Sequence, residues 1–183
     1  MPGGAVSARP AEADLERRFA DELRRADGVA HPGADAGPLA CSLLPDRSAA
    51  AAVDDDPELE DVAQALADAG HDVLRPADAD YRARLPTAGL GVTRCVAAIA
   101  DTGTLLLVFD RAHPRSTSLL PRIHLAVLHP GDFVPTLADA LARIPSPPPS
   151  AVTFVTGPSR SADIEQILTL GVHGPAQVHA AVP

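Results

Sequence analysis

The chain of 183 residues contains no lysine, and all 15 of its basic residues are arginines. That absence removes Schiff-base chemistry and any phosphate grip that depends on an ammonium group. Cysteine is nearly missing too: Cys41 and Cys95 stand far apart and form no C-x-x-C pair. Two thiols are too few to hold an iron–sulfur cluster or a structural zinc unaided, so each is expected to be a small buried apolar side chain. No apolar run approaches the roughly 20 residues of a membrane span, and Met1 to Pro10 lacks the basic start and apolar centre of a secretory signal. A cytoplasmic location is therefore expected. Basic charge is in deficit, and a formal net charge of -9 argues against nucleic acid as the main partner, because phosphate neutralisation needs a basic face.

What is present is the composition of a globular protein, 46% apolar and 21% charged. The length suits a single domain over residues 11–183, preceded by a floppy tail over residues 1–10. Ala11 to Ala26 carries Leu15, Phe19 and Leu23 at steps of four with charges between, which predicts an amphipathic helix. Leu39 to Leu44 reads as a short strand fenced by Pro38 and Pro45. Asp54-Asp55-Asp56-Pro57 reads as a solvated capping loop ahead of a second helix with Leu59, Val62 and Leu66 on one face. A divalent-cation site is the alternative for that aspartate run. A brief strand over His71 to Leu74 follows, and Asp78 to Pro86 is a polar connector holding the only tyrosine, Tyr81.

Val92 to Ala100 and Thr104 to Phe109 are nearly continuous apolar runs, which predict central strands covered on both faces. Asp101-Thr102-Gly103 between them is a hairpin signal, or else a carboxylate at a strand end beside a glycine that lets a ligand approach. Asp110 to Thr117 is a polar loop with Arg111, His113, Arg115, Ser116 and Thr117. A strand over Ile123 to Leu128 and a helix over Leu137 to Ile144 follow, then a stiff proline spacer, and Gln177 to Val182 can add a last strand.

The densest chemistry lies in AVTFVTGPSRSADIEQILTLGVH from Ala151. Val152 to Val155 reads as a strand stopped by Gly157-Pro158, after which Ser159 caps a short helix running through Ile164, Ile167 and Leu168. That order presents backbone N–H groups, two hydroxyls and the Arg160 guanidinium at one point, which suits an anion; the alternative is that Ser159 only caps and Arg160 is a surface charge. His124 and His173 are candidates for a general base, His173 standing equally well as a turn residue, whereas His71, His129 and His179 read as structural or exposed. Helices alternating with apolar strands indicate an α/β fold in three α/β/α layers with a mostly parallel or mixed sheet. In such folds ligands collect at the carboxyl ends of strands, so the Asp101 turn, the Arg111 to Thr117 loop and the Gly157 turn are expected to meet there.

The segments GVTRCVAAIADTGT from Gly91, SLLPRIH from Ser118, and GPSRSADIEQ with GVHGP from Gly157 resemble the LUD domain, the lactate-utilisation protein C family. The resemblance spans Gly89 to Val182. It implies a NagB/RpiA/CoA transferase-like fold and a cytoplasmic subunit that works with iron–sulfur partner proteins in oxidising L-lactate to pyruvate, with no cofactor or metal of its own. It supplies no agreed catalytic mechanism, so whether this subunit is itself an enzyme stays open. The family's acidic position falls on Asp101, one methylene shorter than the glutamate that CoA transferases use as acyl acceptor. Val96 stands where relatives often carry an acid, and the N-terminal half looks shortened. The implied site has Asp101 and His173 as catalytic candidates, with Thr102, Gly103, Gly157, Ser159, Arg160, Ser161 and Asp163 binding a small anion or phosphate-bearing ligand. The alternatives are a stand-alone acyl- or phosphoryl-transferring enzyme and a non-catalytic scaffold.

Overall fold

The computed structural model describes residues 11–46, 48–162, 168–171 and 173–182; the expected tail, together with Asp163, Ile164 and Ile167, lies outside them. Helix α1 (Glu12–Arg25) forms where the four-step apolar pattern predicts it, and it buries Leu15, Phe19, Ala20 and Leu23. Glu12 and Asp14 in its first turn and Arg24 and Arg25 in its last oppose the helix dipole. Strand β1 (Val29–Pro32) follows. Helix α2 (Ala36–Leu43) then replaces the strand expected at Leu39 to Leu44. Asp35 caps it by accepting the Gly37 N–H, and Pro38 falls in the first turn, where a helix has no use for the missing N–H.

Strand β2 (Ala51–Val53) leads into a 3-10 turn that Asp56 caps, and then into α3 (Glu60–Asp68). Strand β3 (Val73–Leu74) precedes α4 (Tyr81–Arg84), so the supposed connector contains a helical turn, and Tyr81 in it is buried. The apolar run from Val92 divides into β4 (Leu90–Arg94) and β5 (Ala97–Ile99), and β6 (Thr104–Phe109) returns antiparallel to β5 through the expected Asp101 hairpin. The chain continues through α5 (Ser116–Leu119), β7 (Ile123–Val127), β8 (Phe133–Val134), α6 (Leu137–Leu141) and β9 (Ala151–Val155). It ends with β10 (Arg160–Ala162), β11 (Leu168–Leu170) and β12 (Gln177–Val182).

The α/β expectation holds. Six strands form an all-parallel sheet in the order β1-β12-β7-β4-β2-β3. Alternate residues of its strands pack on two separate cores. On one face Val53, Val92, Leu125 and Ala181 meet α2 and α3. On the other, Ala126, Val178 and Val182 meet α1 and a second, mixed sheet ordered β8-β5-β6-β9. Phe19 of α1 and Phe133 of β8 stack edge to face with centroids 5.6 Å apart, joining α1 to that second sheet. No helix among the described residues is long and apolar enough to cross a membrane.

Three titratable groups are buried against the parallel sheet. His124 is enclosed with its Nε2 2.9 Å from Thr93 Oγ1, and burial pushes its pKa down to about 4. Burial and the neighbouring His31, 2.9 Å away, also hold His179 at about 4. Asp54 is only 2% exposed, and burial drives its pKa up to about 7 against the opposing hydrogen bond from Thr117.

Two predictions follow from this packing. A Cβ on Gly91 of β4 would lie 1.9 Å from the Thr117 carbonyl oxygen, so Gly91→Ala must lift α5 off the sheet. We expect a loss of about 2–3 kcal/mol in urea denaturation, the cost of overpacking a tight site. The second concerns pH. Both imidazoles have folded pKa values below the unfolded one, so between pH 6.5 and about 4 the unfolded chain binds more protons and stability falls on acidification. Asp54 is displaced upward, so its contribution runs the other way, and stability falls as pH rises from about 4 to about 7. Two imidazoles outweigh one carboxyl, so the denaturation midpoint should drop from pH 6.5 to 4.5, and more steeply in Asp54→Asn.

Candidate functional site

Strands β6 and β9 are antiparallel with Leu105 opposite Val155, so the start of β6 and the end of β9 lie side by side. A row of hydroxyls joins them, with Thr102 and Thr156 each 2.7 Å from the Thr104 oxygen. Gly103 and Gly157 turn the chain here with φ of +62° and +76°. A Cβ on Gly103 would meet the Leu23 nitrogen at 2.1 Å, and one on Gly157 the Ala26 oxygen at 2.0 Å. Only glycine satisfies both the left-handed conformation and this approach of backbone to backbone. The two turns are therefore docked on the C-terminal part of α1 and the turn after it.

That docking decides where the expected charges go. Asp101 forms an ion pair with Arg18 at 3.0 Å, and Arg160 one with Asp27. Arg18 and Asp27 are nine positions apart, a rise of roughly 13 Å along a helix. Asp101 and Arg160 thus answer to separate partners. Thr102 and Gly103 belong to the Asp101 turn.

At Arg160–Ala162 and at Leu168–Leu170 the chain is extended, not helical. Arg160–Ala162 pairs antiparallel with Leu168–Leu170, which corrects the helix expected after Ser159. The Ser159 N–H donates to the Pro175 oxygen and its carbonyl accepts from the Gly171 N–H, both at 2.9 Å. These bonds hold Ser159 against the 171–175 segment and outweigh a short helix with a costly nucleus. They also occupy the Ser159 amide that the sequence offered to an anion. Asp163 and the side chain of Ser161 lie outside the described residues.

Gly157 and Ser159 do meet His173. With Gly174, Leu119 and Arg115 they line a cavity of about 210 Å³. Arg115 comes from the residue before α5, and its guanidinium has no hydrogen-bond or ion-pair partner among the described residues. One guanidinium, one hydroxyl and one imidazole around a small cavity can orient a carboxylate and take up a proton beside it. The Arg111 to Thr117 loop reaches this turn through Arg115, whereas the Asp101 turn does not line the cavity. His124, expected as a possible base, is instead sealed in the sheet.

The aspartate run also departs from expectation. Asp56 caps the 3-10 turn and Asp55 pairs with Arg75 at 3.1 Å, but Asp54 is buried and accepts the Thr117 hydroxyl at 2.5 Å. Its signal in the sequence is its place directly after the apolar Ala51–Val53 strand. The adjacent His113 bonds Asp110 at 2.9 Å; burial works against its protonation, but the Asp110 bond and the surrounding carboxylates outweigh that and raise its pKa. Among the described residues no three His, Cys, Asp or Glu side chains are arranged to hold a metal ion. Cys95 is buried, and burial pushes its thiol up to about 12, so it is not a nucleophile at neutral pH.

Comparison with known proteins agrees with this architecture. The LUD domain family profile matches residues 18–182. Lactate utilization protein C of Bacillus licheniformis is 39% identical over 100 residues, 51% of this chain and 42% of that protein. The protein of the same name from Bacillus subtilis is 36% identical over 96 residues, 49% of this chain and 40% of its own length. The matched segment thus spans less than half of these relatives. A crystal structure of a DUF162 family protein from Deinococcus radiodurans has the same fold, with a TM-score of 0.65 at 22% identity over 94% of this chain and 98% of that one. With the profile covering nearly all the described fold, the chain belongs to the LUD domain family.

Proposed function

We propose that this chain is a component of a cytoplasmic lactate-utilisation system. It holds a small carboxylate or phosphate-bearing ligand at the Gly157 turn while iron–sulfur partner proteins carry the electrons released when L-lactate becomes pyruvate. The observation that supports this reading is its similarity to lactate utilization protein C from several bacteria. The cavity lined by Arg115, Ser159 and His173 is suited to the ligand. In it Arg115 binds the carboxylate through paired N–H groups, Ser159 donates to the same group, and His173 accepts the proton of the neighbouring hydroxyl. Asp101 and Arg160 pair with Arg18 and Asp27 at the margin of the docked turns. The acyl- or phosphoryl-transfer alternative needs Asp101 beside a ligand, and its pairing with Arg18 does not favour it.

The test is to mix the purified chain with the iron–sulfur proteins encoded beside its gene and follow L-lactate-dependent dye reduction. Reduction that requires this chain, and that falls at least about tenfold in Arg115→Gln with the fold intact, is expected for the loss of a charge-assisted hydrogen bond. Absence of reduction with the complete set, or reduction that does not need this chain, overturns the reading; the second outcome with firm co-purification favours a scaffold.

A further inference from the structure

Asp54 directly follows β2 at the carboxyl edge of the parallel sheet, the edge where open α/β sheets collect ligands. Its carboxyl accepts the Thr117 hydroxyl at 2.5 Å, and the Thr117 oxygen lies 2.7 Å from the Tyr81 hydroxyl. Asp54, Thr117 and Tyr81 are all at most 3% exposed. Tyr81 also lines a cleft of about 460 Å³, together with Arg82, Arg111 and Ser116 and the apolar Leu85 and Leu120. Nearby Arg75 and Arg84 are each paired with two carboxylates. Arg82 and Arg111 have no hydrogen-bond or ion-pair partner among the described residues. The cleft therefore combines two guanidiniums that pair with none of the described residues with a buried chain of two hydroxyls and a carboxyl leading inward.

We propose that this cleft binds an organic oxyanion and that the Tyr81–Thr117–Asp54 chain takes up one proton as the site fills. The site is separate from the Gly157 cavity and does not depend on the function proposed above. Hydrogen counting gives the mechanism. With Asp54 ionised, its carboxylate accepts the single Thr117 hydrogen, so Tyr81 must donate to Thr117 and its hydrogen turns away from the cleft. With Asp54 protonated the chain reverses: Asp54 donates to Thr117, Thr117 donates to Tyr81, and the Tyr81 hydrogen is free to meet the anion. An anion favours the second state because it gains a donor and loses a nearby buried negative charge. Each anion that meets the ionised form brings one proton with it: an O–H bond of hydronium or the buffer acid breaks as the O–H bond at Asp54 forms.

Asp54 is suited to this exchange because burial keeps its pKa at about 7. The charged groups facing it are Asp55, Asp56 and His113, with Tyr81 beyond Thr117. Arg75 neutralises Asp55, and His113 contacts Asp56 at 3.4 Å.

Sulfate, whose charge is constant from pH 6 to 8, is the probe for the full chain in calorimetry. Wild-type affinity should fall about tenfold from pH 6 to 8, since above the Asp54 pKa each pH unit costs one decade of the protonated form. Arg111→Gln should weaken binding at least about tenfold at pH 6. Asp54→Asn keeps the donor state permanently and should bind equally at both pH values, with His113 still present. Tyr81→Phe should bind more weakly at pH 6 and also lose the pH dependence. Should Asp54→Asn fail to fold, wild-type binding enthalpies in two buffers of different ionisation enthalpy report the same proton, about one half per sulfate at pH 7 and close to one at pH 8. No millimolar sulfate binding, a pH slope retained in Asp54→Asn, or a proton count near zero overturns the proposal. So does binding that Arg115→Gln abolishes and Arg111→Gln leaves unchanged, which would place the ion at the Gly157 turn.

Discussion

Helix α1 approaches the second sheet so closely at Gly103 and Gly157 that no side chain fits between the main chains. The contact rests on apolar burial beneath it, where Phe19 and Leu23 are fully enclosed with Leu105 and Leu107 of β6. Each such side chain contributes about 1.5–3 kcal/mol on burial. The ion pairs at the margin, Arg18 with Asp101 and Arg160 with Asp27, are substantially exposed and contribute about 0–1 kcal/mol each. The glycines and the apolar stripe set the docking, and the charges follow it. For this reason the acidic position of the Asp101 turn faces a helix instead of a ligand cavity.

Much of the fold could be read from the sequence. The four-step spacing of Leu15, Phe19 and Leu23 marks α1, the apolar runs at Ile123 and Gln177 mark two strands, which the fold sets side by side and parallel, and Asp101-Thr102-Gly103 marks a hairpin. What could not be read was continuity. Val92 to Ala100 is one apolar run in sequence but two strands in space, because the chain leaves the parallel sheet at Cys95 and enters the mixed sheet at Ala97. Hydropathy is blind to such a change, since both sheets need the same side chains. At Leu39 and Ser159 local preference was weak, and a cap at Asp35 and long-range main-chain bonds to Gly171 and Pro175 decided the outcome.

Of the candidate site, Gly157, Ser159 and His173 line one cavity, and the main-chain bonds of Ser159 to Gly171 and Pro175 bring them there. The ion pairing of Asp101 and Arg160 with different partners was not legible, because it depends on α1 and the turn after it, more than seventy residues before Asp101. Asp54 was hidden by its neighbours. Three consecutive aspartates look solvated, yet the first follows a fully buried strand and inherits its environment, while the next two serve a salt bridge and a cap.

The short helix α5 ties the two cavities together. Thr117 faces Asp54 and Tyr81, whereas Leu119, two positions on, faces the Gly157 cavity, as does Arg115 two positions before. A step of two residues turns about 200° around a helix, so these side chains necessarily look to opposite sides. The seat of α5 is the Thr117 carbonyl against Gly91 of β4, a contact with no room for a methyl group. A helix held by such a contact does not deform smoothly, because a close-packed interface transmits a displacement whole. The one contact at Gly91 therefore sets the positions of Thr117, Arg115 and Leu119 together, and with them one wall of each cavity.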